Sequence, residues 1–225
     1  MSWDVNQIYE CFKSLANKNQ SGNINATRFF YAWNIEQAAY HNDIVGRWES
    51  RANGKQGMNS GLVRNELILS DLAPFTISTP LPIIAGEATK PSDFAYTNNL
   101  SFNGARIAHV TNGQVPSVIK SVIDPPSLVD ETYYYTEYTT KYSLLPTTMT
   151  GNVQLDYVAS ATDIVWNFTL DADGRQVYSP SGSIQPKWNF DTIATITKRA
   201  FVNLGVMFND AAFNNFGRNA QVTGA

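Results

Sequence analysis

The chain has 225 residues, of which 43% are apolar and only 16% are charged, and its formal net charge is −3. This length suits one ordinary domain or two small ones, and an aromatic content of 12% excludes a largely disordered chain. The small negative charge argues against a general nucleic-acid binder.

The charge is unevenly distributed along the chain. Residues 1–64 hold seven Lys/Arg and five Asp/Glu, residues 65–190 hold six and twelve, and residues 191–225 hold three and two. The middle is therefore acidic and the two ends are slightly basic.

Two further features concern compartment and cofactors. The apolar runs are too short for a membrane helix, and the N-terminus lacks a secretory signal, so we expect the protein to stay where it is made. One cysteine, Cys11, excludes an internal disulfide and a multi-cysteine zinc site. The sequence predicts neither a metal nor another cofactor.

The N-terminal region predicts two helices. Apolar residues recur at helical spacing over residues 4–16, and Asp4 with Gln7 resembles a capping box. A polar stretch containing Gly22 predicts a turn, and a second helix is expected from Asn25, as its N-cap, to Gly46. The expected arrangement is an αα-hairpin.

Residues 46–73 have no apolar periodicity and contain several glycines, which predicts a mobile loop. Residues 46–64 of this loop are basic, and we expect this stretch to order on docking to a protein partner or to touch DNA phosphate transiently. Its candidate interface residues are Arg47, Arg51, Lys55 and Arg64.

The middle region, residues 74–189, is predicted to be rich in β-strands. Prolines such as Pro80 and Pro82 suit strands at a sheet edge, and Pro116 predicts a short helix with proline in its first turn. Residues 132–138 and 142–145 predict paired strands, and residues 153–158 alternate in polarity. Two further strands flank a tight turn at Gly174. Together these strands predict an antiparallel meander.

A final helix is expected over about residues 190–208, with Asp191 capping its first turn, and a shorter helical piece over 210–216. The predicted fold class is α+β. Residues 1–73 form a helical hairpin with its loop, residues 74–189 form the β-rich region, and residues 190–225 pack back on the N-terminal helices.

Catalytic motifs are absent from the sequence. The loop from Asn17 to Arg28 has the glycine spacing of a calcium loop, but it contains no carboxylate. His41 lies on the apolar stripe of the second predicted helix and His109 in a strand-like run, and both are typical of packing histidines. No known nucleophile, phosphate-binding or zinc signature occurs, so we predict that the protein is not an enzyme.

One cluster of tyrosines is a candidate interface with a partner. At most half of the rings on a strand can face a core, so the others are either an interface or part of a strand that is buried on both sides. The candidates are Tyr133, Tyr134, Tyr135 and Tyr138.

Several segments, in order along most of the chain, resemble a virion structural protein family of tailed bacteriophages that infect Bacteroidota, including crAss-like phages. The segments are Leu15-Ala-Asn-Lys-Asn-Gln-Ser-Gly-Asn-Ile24, Gln37-Ala38, Lys90-Pro-Ser-Asp-Phe-Ala-Tyr96, Pro125-Pro126, Val165-Trp166, Leu170-Asp-Ala-Asp-Gly-Arg-Gln-Val-Tyr178, Trp188, Leu204-Gly205-Val206 and Asn209-Asp210. Relatives often have an acidic residue followed by Phe where this chain has Arg28-Phe29.

The resemblance implies a neck component, namely a head-to-tail connector or adaptor ring below the portal, through which genomic DNA passes. Its implied partners are copies of itself in a ring, expected to be twelvefold, the portal protein, and other neck or tail proteins. DNA would pass without sequence-specific binding, and no membrane is involved. The expected location is the virion neck or tail, with assembly in the host cytoplasm.

Two alternatives stay open at this point. One is another collar or tail ring of the same virion. The other, from a different class, is a β-rich carbohydrate-binding module, which predicts a monomer with a Trp/Tyr platform.

Overall fold

A computed structural model describes residues 3–18, 25–52 and 70–204. The protein is mixed α+β, with a large, mainly antiparallel sheet in the middle of the chain and helices towards both ends. It divides into two compact units. The helical unit comprises Met1–Pro74 and Ala161–Ala225, and the sheet unit comprises Phe75–Ser160. The β-rich region expected over residues 74–189 thus contributes to both units.

The helices are α1 (Val5–Lys18), α2 (Ala26–Ala52), α3 (Val115–Ile119) and α4 (Phe190–Asn203), and a 3-10 turn spans Ala73–Phe75. The strands are β1 (Thr76–Ile84), β2 (Glu87–Thr89), β3 (Phe94–Phe102), β4 (Ala105–Arg106), β5 (Ala108–His109), β6 (Tyr134–Glu137), β7 (Lys141–Leu145), β8 (Asn152–Ala159), β9 (Phe168–Leu170) and β10 (Gln176–Tyr178).

Side-chain caps fix where the long helices begin. At α1 the Gln7 N–H donates to Asp4 Oδ1 (2.7 Å) and the Asp4 N–H donates to Gln7 Oε1 (3.1 Å), which confirms the predicted capping box. Asn25 Oδ1 accepts from the Arg28 N–H at 2.9 Å, as predicted for α2. At α4 the cap is Asn189, and Asp191 lies in the first turn. The expected capping role of Asp191 is therefore corrected.

The end of α2 also differs from the prediction. The helix continues through Gly46 to Ala52, so the loop prediction is wrong for residues 46–52, which are helical. A single glycine costs a helix only about 1 kcal/mol, and the Asp43–Arg47 pair, four residues apart, supports this turn. Of the rest of the predicted loop, residues 53–69 lie outside the described residues, as do residues 210–216. Residues 70–73 are helical, so the loop prediction is wrong there too.

The sheet unit contains eight strands in the order β4-β3-β8-β1-β2-β7-β6-β5. Neighbouring strands are antiparallel except β5 and β6, which are parallel. The β6–β7 hairpin was predicted correctly, but the predicted meander is wrong, because β8 pairs with β1 and β3. Strand β8 lies between β1 and β3, so both of its edges are hydrogen-bonded. Its Val153, Leu155 and Tyr157 are buried, as the alternation in polarity predicts.

The prolines of β1 lie where the strand has one neighbour. Pro80 and Pro82 belong to the stretch that pairs only with β8, whereas Ile83 and Ile84 pair with β2. Because proline has no N–H to donate, it is tolerated where one side of a strand is not paired. The edge-like environment predicted from the sequence is thus present locally within a long sheet.

One apolar cluster fills the sheet unit. Tyr142 is fully buried at its centre, where its hydroxyl lies 2.8 Å from Thr97 Oγ1 and its ring meets Tyr135 edge-on. The cluster comprises Leu81, Ala88, Leu100, Phe102, Ile107, Tyr133, Tyr135, Tyr142, Leu144, Met149, Val153, Leu155, Tyr157 and Ala159.

Aromatic rings from three helices meet in the helical unit. The Phe12 ring of α1 stacks on Phe29 of α2 (centroids 4.3 Å apart) and on Phe201 of α4 (5.4 Å). Trp33 Nε1 donates to Thr197 Oγ1 at 3.0 Å, so the buried indole keeps a polar partner. Fully burying one large apolar side chain of this kind contributes about 1.5–3 kcal/mol relative to leaving it exposed.

A chain of hydrogen bonds connects α2 to the segment before α4. Trp188 Nε1 donates to Gln37 Oε1 (3.0 Å), and Gln37 Nε2 donates to the Thr162 carbonyl (2.9 Å). The β9–β10 hairpin belongs to the same unit, and Gly174 adopts φ +75° in its turn, as predicted.

Candidate interaction surfaces

The four predicted interface tyrosines divide into two pairs. Tyr133 and Tyr135 are buried in the sheet unit, at 4% and 9% exposure, and do not form the expected outward surface. Tyr133 packs edge-on against Phe102 with centroids 5.3 Å apart. Burial raises the pKa of Tyr135 to about 12, with nearby Glu137 acting in the same direction. Strand alternation explains why these rings turn inward.

Tyr134 and Tyr138 face the other way. The Tyr134 hydroxyl donates to the Asp124 carbonyl at 3.1 Å, and the Tyr138 hydroxyl donates to Asn112 Oδ1 at 2.8 Å. Both hydroxyls hold the segment between β5 and β6. Of the four tyrosines, only Tyr138 has a substantially exposed ring, at 41%.

The predicted basic interface residues are only partly described. Arg47 lies in α2, where its Nε donates to Asp43 Oδ1 at 3.0 Å, so its charge is engaged by its own helix. Arg51 falls in the last turn of α2. Lys55 and Arg64 lie outside the described residues. The structure therefore does not bring the four residues together in a described patch.

A surface that sequence reasoning missed follows α3. Residues 119–131, here called the acidic loop, carry one Lys and three Asp/Glu and so have a net charge of −2. Val122, Ile123 and Val129 are 96%, 88% and 90% exposed, and Ile119 and Leu128 are also exposed. Aliphatic side chains exposed to this extent mark a contact surface far more often than isolated exposed residues do.

The acidic loop is held in shape by its own hydrogen bonds. Ser127 and Thr132 exchange two backbone hydrogen bonds of 3.0 Å each, and Ser127 Oγ donates to Asp130 Oδ2 at 2.8 Å. The Asp124 N–H donates to Ser121 Oγ at 3.1 Å. The apolar side chains therefore project from an ordered backbone, which lowers the entropy lost on binding a partner.

The helical unit carries a second exposed apolar surface. On α2, six residues at helical spacing form one face, here called the outer stripe: Arg28, Tyr31, Ile35, Ala38, Ala39 and Asn42. All six are exposed, Tyr31 at 70% and Ile35 at 48%. The stripe lies opposite the buried face of the helix, which includes Trp33 and Gln37.

The described part of the chain includes two small cavities without an obvious catalytic lining. One, of about 270 Å³, is lined by Asn112, Val115, Pro116, Thr136, Tyr138, Ser143 and Leu145. The other, of about 280 Å³, is lined by Glu36, Lys198, Arg199, Val202 and Asn203. Neither has a His or Cys in its lining, and the first has no carboxylate.

The two histidines occupy different surroundings. His41 is buried beside Trp188, with ring centroids 6.1 Å apart, in the packing role that its place on the apolar stripe predicts. His109 is exposed on β5, with its ring 5.1 Å from Tyr135, so the packing role predicted for it is wrong. They belong to different units.

Two observations on metals and membranes apply to residues 3–18, 25–52 and 70–204 alone. Among them, no three His, Cys, Asp or Glu side chains are grouped so as to hold a metal ion. Within the same ranges, the helices lack the combination of length and apolar character that crossing a bilayer requires.

Comparison with known proteins adds no assignment. No protein-family model matches the chain, and a search of curated proteins also finds no match.

Proposed function

We propose that the protein is a structural component of a tailed-phage virion, forming a head-to-tail connector ring below the portal through which genomic DNA passes. The proposal rests on the resemblance over most of the chain and on one structural observation. That observation is the presence of two exposed apolar surfaces, the acidic loop and the outer stripe, on different units of the chain. A subunit of a closed ring uses two different surfaces to contact its two neighbours.

The chemistry of the exposed residues supports a protein partner. Among the described residues, twelve of the fifteen exposed large apolar side chains are aliphatic and three are aromatic, namely Tyr31, Tyr138 and Phe168. Stacking of sugar rings needs a platform of aromatic side chains. Aliphatic side chains on ordered backbone instead suit packing between proteins.

The charge distribution fits a DNA channel. The sheet unit has four Lys/Arg and seven Asp/Glu, a net charge of −3, whereas the whole chain carries the same −3, so the remaining residues sum to zero. In the proposed ring the sheet unit faces the channel, where its negative charge repels the phosphate backbone and lets DNA slide.

An N-terminal αα-hairpin packed with the C-terminal helix is part of the proposal. The stacking of Phe12 on both Phe29 and Phe201 and the Trp33–Thr197 hydrogen bond support that packing. The helices would form a stable body that positions the outer stripe. The connector works by assembly and docking and performs no catalysis.

The proposal is tested by the mass of the purified full-length chain, measured by light scattering with negative-stain images, alone and with the portal protein. We expect rings, or monomers that become rings on the portal. Rings that ignore the portal would instead indicate a collar or tail ring. A monomer that ignores the portal and binds glycans in an array would overturn the proposal in favour of a carbohydrate-binding module.

A further inference from the structure

Helix α2 has two apolar faces, and among residues 3–18, 25–52 and 70–204 only one of these faces is buried. Trp33, His41 and Ile44 on the inner face are at most 4% exposed. Tyr31 and Ile35 on the outer stripe are exposed, as are Ala38 and Ala39. A helix that is apolar around most of its circumference is typical of a helix covered on both sides. The outer stripe is therefore suited to a protein partner.

The acidic loop has complementary properties. It projects Val122, Ile123 and Val129 from an ordered backbone, and its net charge is −2. The outer stripe carries Arg28 and no acidic residue, so its net charge is +1. Both surfaces expose apolar side chains, and the net charges of the two residue sets are opposite in sign.

The charges also distinguish among the ways in which two copies could meet. Two acidic loops in contact would place two charges of −2 together, and like charges at an interface are unfavourable. Two outer stripes in contact would bring two arginines together. Contact between a loop and a stripe places opposite charges together, and it joins different surfaces of the two copies.

We propose that the acidic loop of one copy packs on the outer stripe of α2 in the next copy. This inference rests on the proposed function, since it names the contact by which neighbouring subunits of the ring associate. Val122 and Ile123 pack against Tyr31 and Ile35, and Arg28 faces the carboxylates of the loop. Because the contact is heterologous, it repeats from copy to copy until the ring closes.

Cysteine cross-linking in the full chain tests this contact. The double variant Ile35→Cys/Val122→Cys, treated with a short bis-maleimide, is expected to give a ladder of covalent multimers, because each copy carries both halves of the contact. Either single variant is expected to give no ladder, and mixing the two single variants should give covalent dimers only. The one native cysteine, Cys11, is buried and supplies no competing thiol.

A matched control uses a residue elsewhere in the helical unit that is more exposed than Ile35, which is 48% exposed. Leu170 on β9 is 64% exposed, and the double variant Val122→Cys/Leu170→Cys should give no ladder. Charge is tested in the cross-linking background, where Arg28→Glu is expected to lower the yield of multimers and Arg28→Lys to retain it.

The outcomes separate the contact from the function. If light scattering shows rings but the Ile35/Val122 variant gives no ladder, the contact is wrong and the ring proposal stands. A high yield of covalent dimers from the single variant Val122→Cys would show that two acidic loops pair with each other. That result would overturn the proposed contact between loop and stripe. If the chain forms neither rings nor a ladder at high concentration or with the portal, both proposals fail.

Discussion

Cys11 shows how burial controls the reactivity of one residue. Its side chain is completely buried in α1, and burial raises the pKa of its thiol to about 12. Because the thiolate is the reactive form, almost none is present near neutral pH. We expect no maleimide labelling of the native protein at pH 7 to 8 and full labelling after denaturation, measured by intact mass. Rapid native labelling would contradict the buried position.

The Lys90–Glu137 ion pair is more buried than the other ion pairs of the described residues. The Lys90 side chain is 6% exposed, with its Nζ 2.6 Å from Glu137 Oε1 and 4.2 Å from the centre of the Phe94 ring. Replacing Glu137 with Gln leaves a buried ammonium group without its counter-charge. We expect Glu137→Gln to lower the free energy of unfolding by about 1.5–3 kcal/mol in chemical denaturation.

A matched pair serves as the control for that measurement. Glu87 binds Lys141 at 2.7 Å, but both side chains are nearly half exposed. Glu87→Gln is therefore expected to cost less than about 1 kcal/mol. Equal losses from the two substitutions would show that burial of Lys90 has no energetic consequence.

Buried tyrosines are expected to make the sheet unit less stable at alkaline pH. Burial raises the pKa of Tyr135 from 10.0 to about 12 and also raises the pKa of Tyr142. A raised folded-state pKa means that stability is complete below pH 10 and falls as the pH rises towards 12. We expect a pH titration to show loss of the sheet's circular dichroism together with tyrosinate absorbance in that window. Tyr135→Phe should make the stability of the sheet unit fall less steeply with pH in this window.

At the scale of single elements, the contribution of the N-cap of α2 to stability can be tested by substitution. Asn25 Oδ1 accepts the Arg28 N–H at the start of α2, and the Asn25 side chain is exposed. Asn25→Ala removes that acceptor and is expected to lower stability by about 0.5–2 kcal/mol in thermal unfolding. Asn25→Asp keeps an acceptor and should retain most of the stability. An unchanged melting temperature in Asn25→Ala would show that the start of α2 does not depend on this cap.

Elements governed by local signals could be predicted from the sequence. The caps at Asp4 and Asn25 and the β9–β10 turn at Gly174 depend on residues a few positions apart, and all three are present. The position of β8 between β1 and β3 could not be predicted, because it depends on pairing across more than fifty residues.

The candidate surfaces too could be predicted only in part from the sequence. Alternation indicated that half of the tyrosine cluster turns inward, but not which half. The acidic loop was missed because its aliphatic residues near Pro125 and Pro126 have the composition of a core segment. Hydrophobicity alone does not reveal whether a side chain is buried in its own fold or exposed.

At the scale of the whole molecule, the sheet unit has the properties of an independent domain. Its apolar cluster lies entirely within Phe75–Ser160, and its two ends adjoin, since Thr76 pairs with Val158 in the sheet. We expect residues 75–160 alone to unfold cooperatively on heating. Extending this fragment to residue 189 should not increase its stability. The added Trp166 and Trp188 donate hydrogen bonds to Asn6 and Gln37, which the fragment lacks. A molten fragment 75–160 would contradict this expectation.

The helical unit is built from both ends of the chain, and this has a consequence for biosynthesis. Phe12 and Trp33 are synthesised early, but their partners Phe201 and Thr197 follow the entire sheet unit. At translation rates of about 5–20 residues per second, the rings of α1 and α2 wait roughly 8–38 s for their partners in α4. The sheet unit completes first on the ribosome. Nascent chains released before α4 therefore expose aromatic surface, which makes them substrates for chaperones.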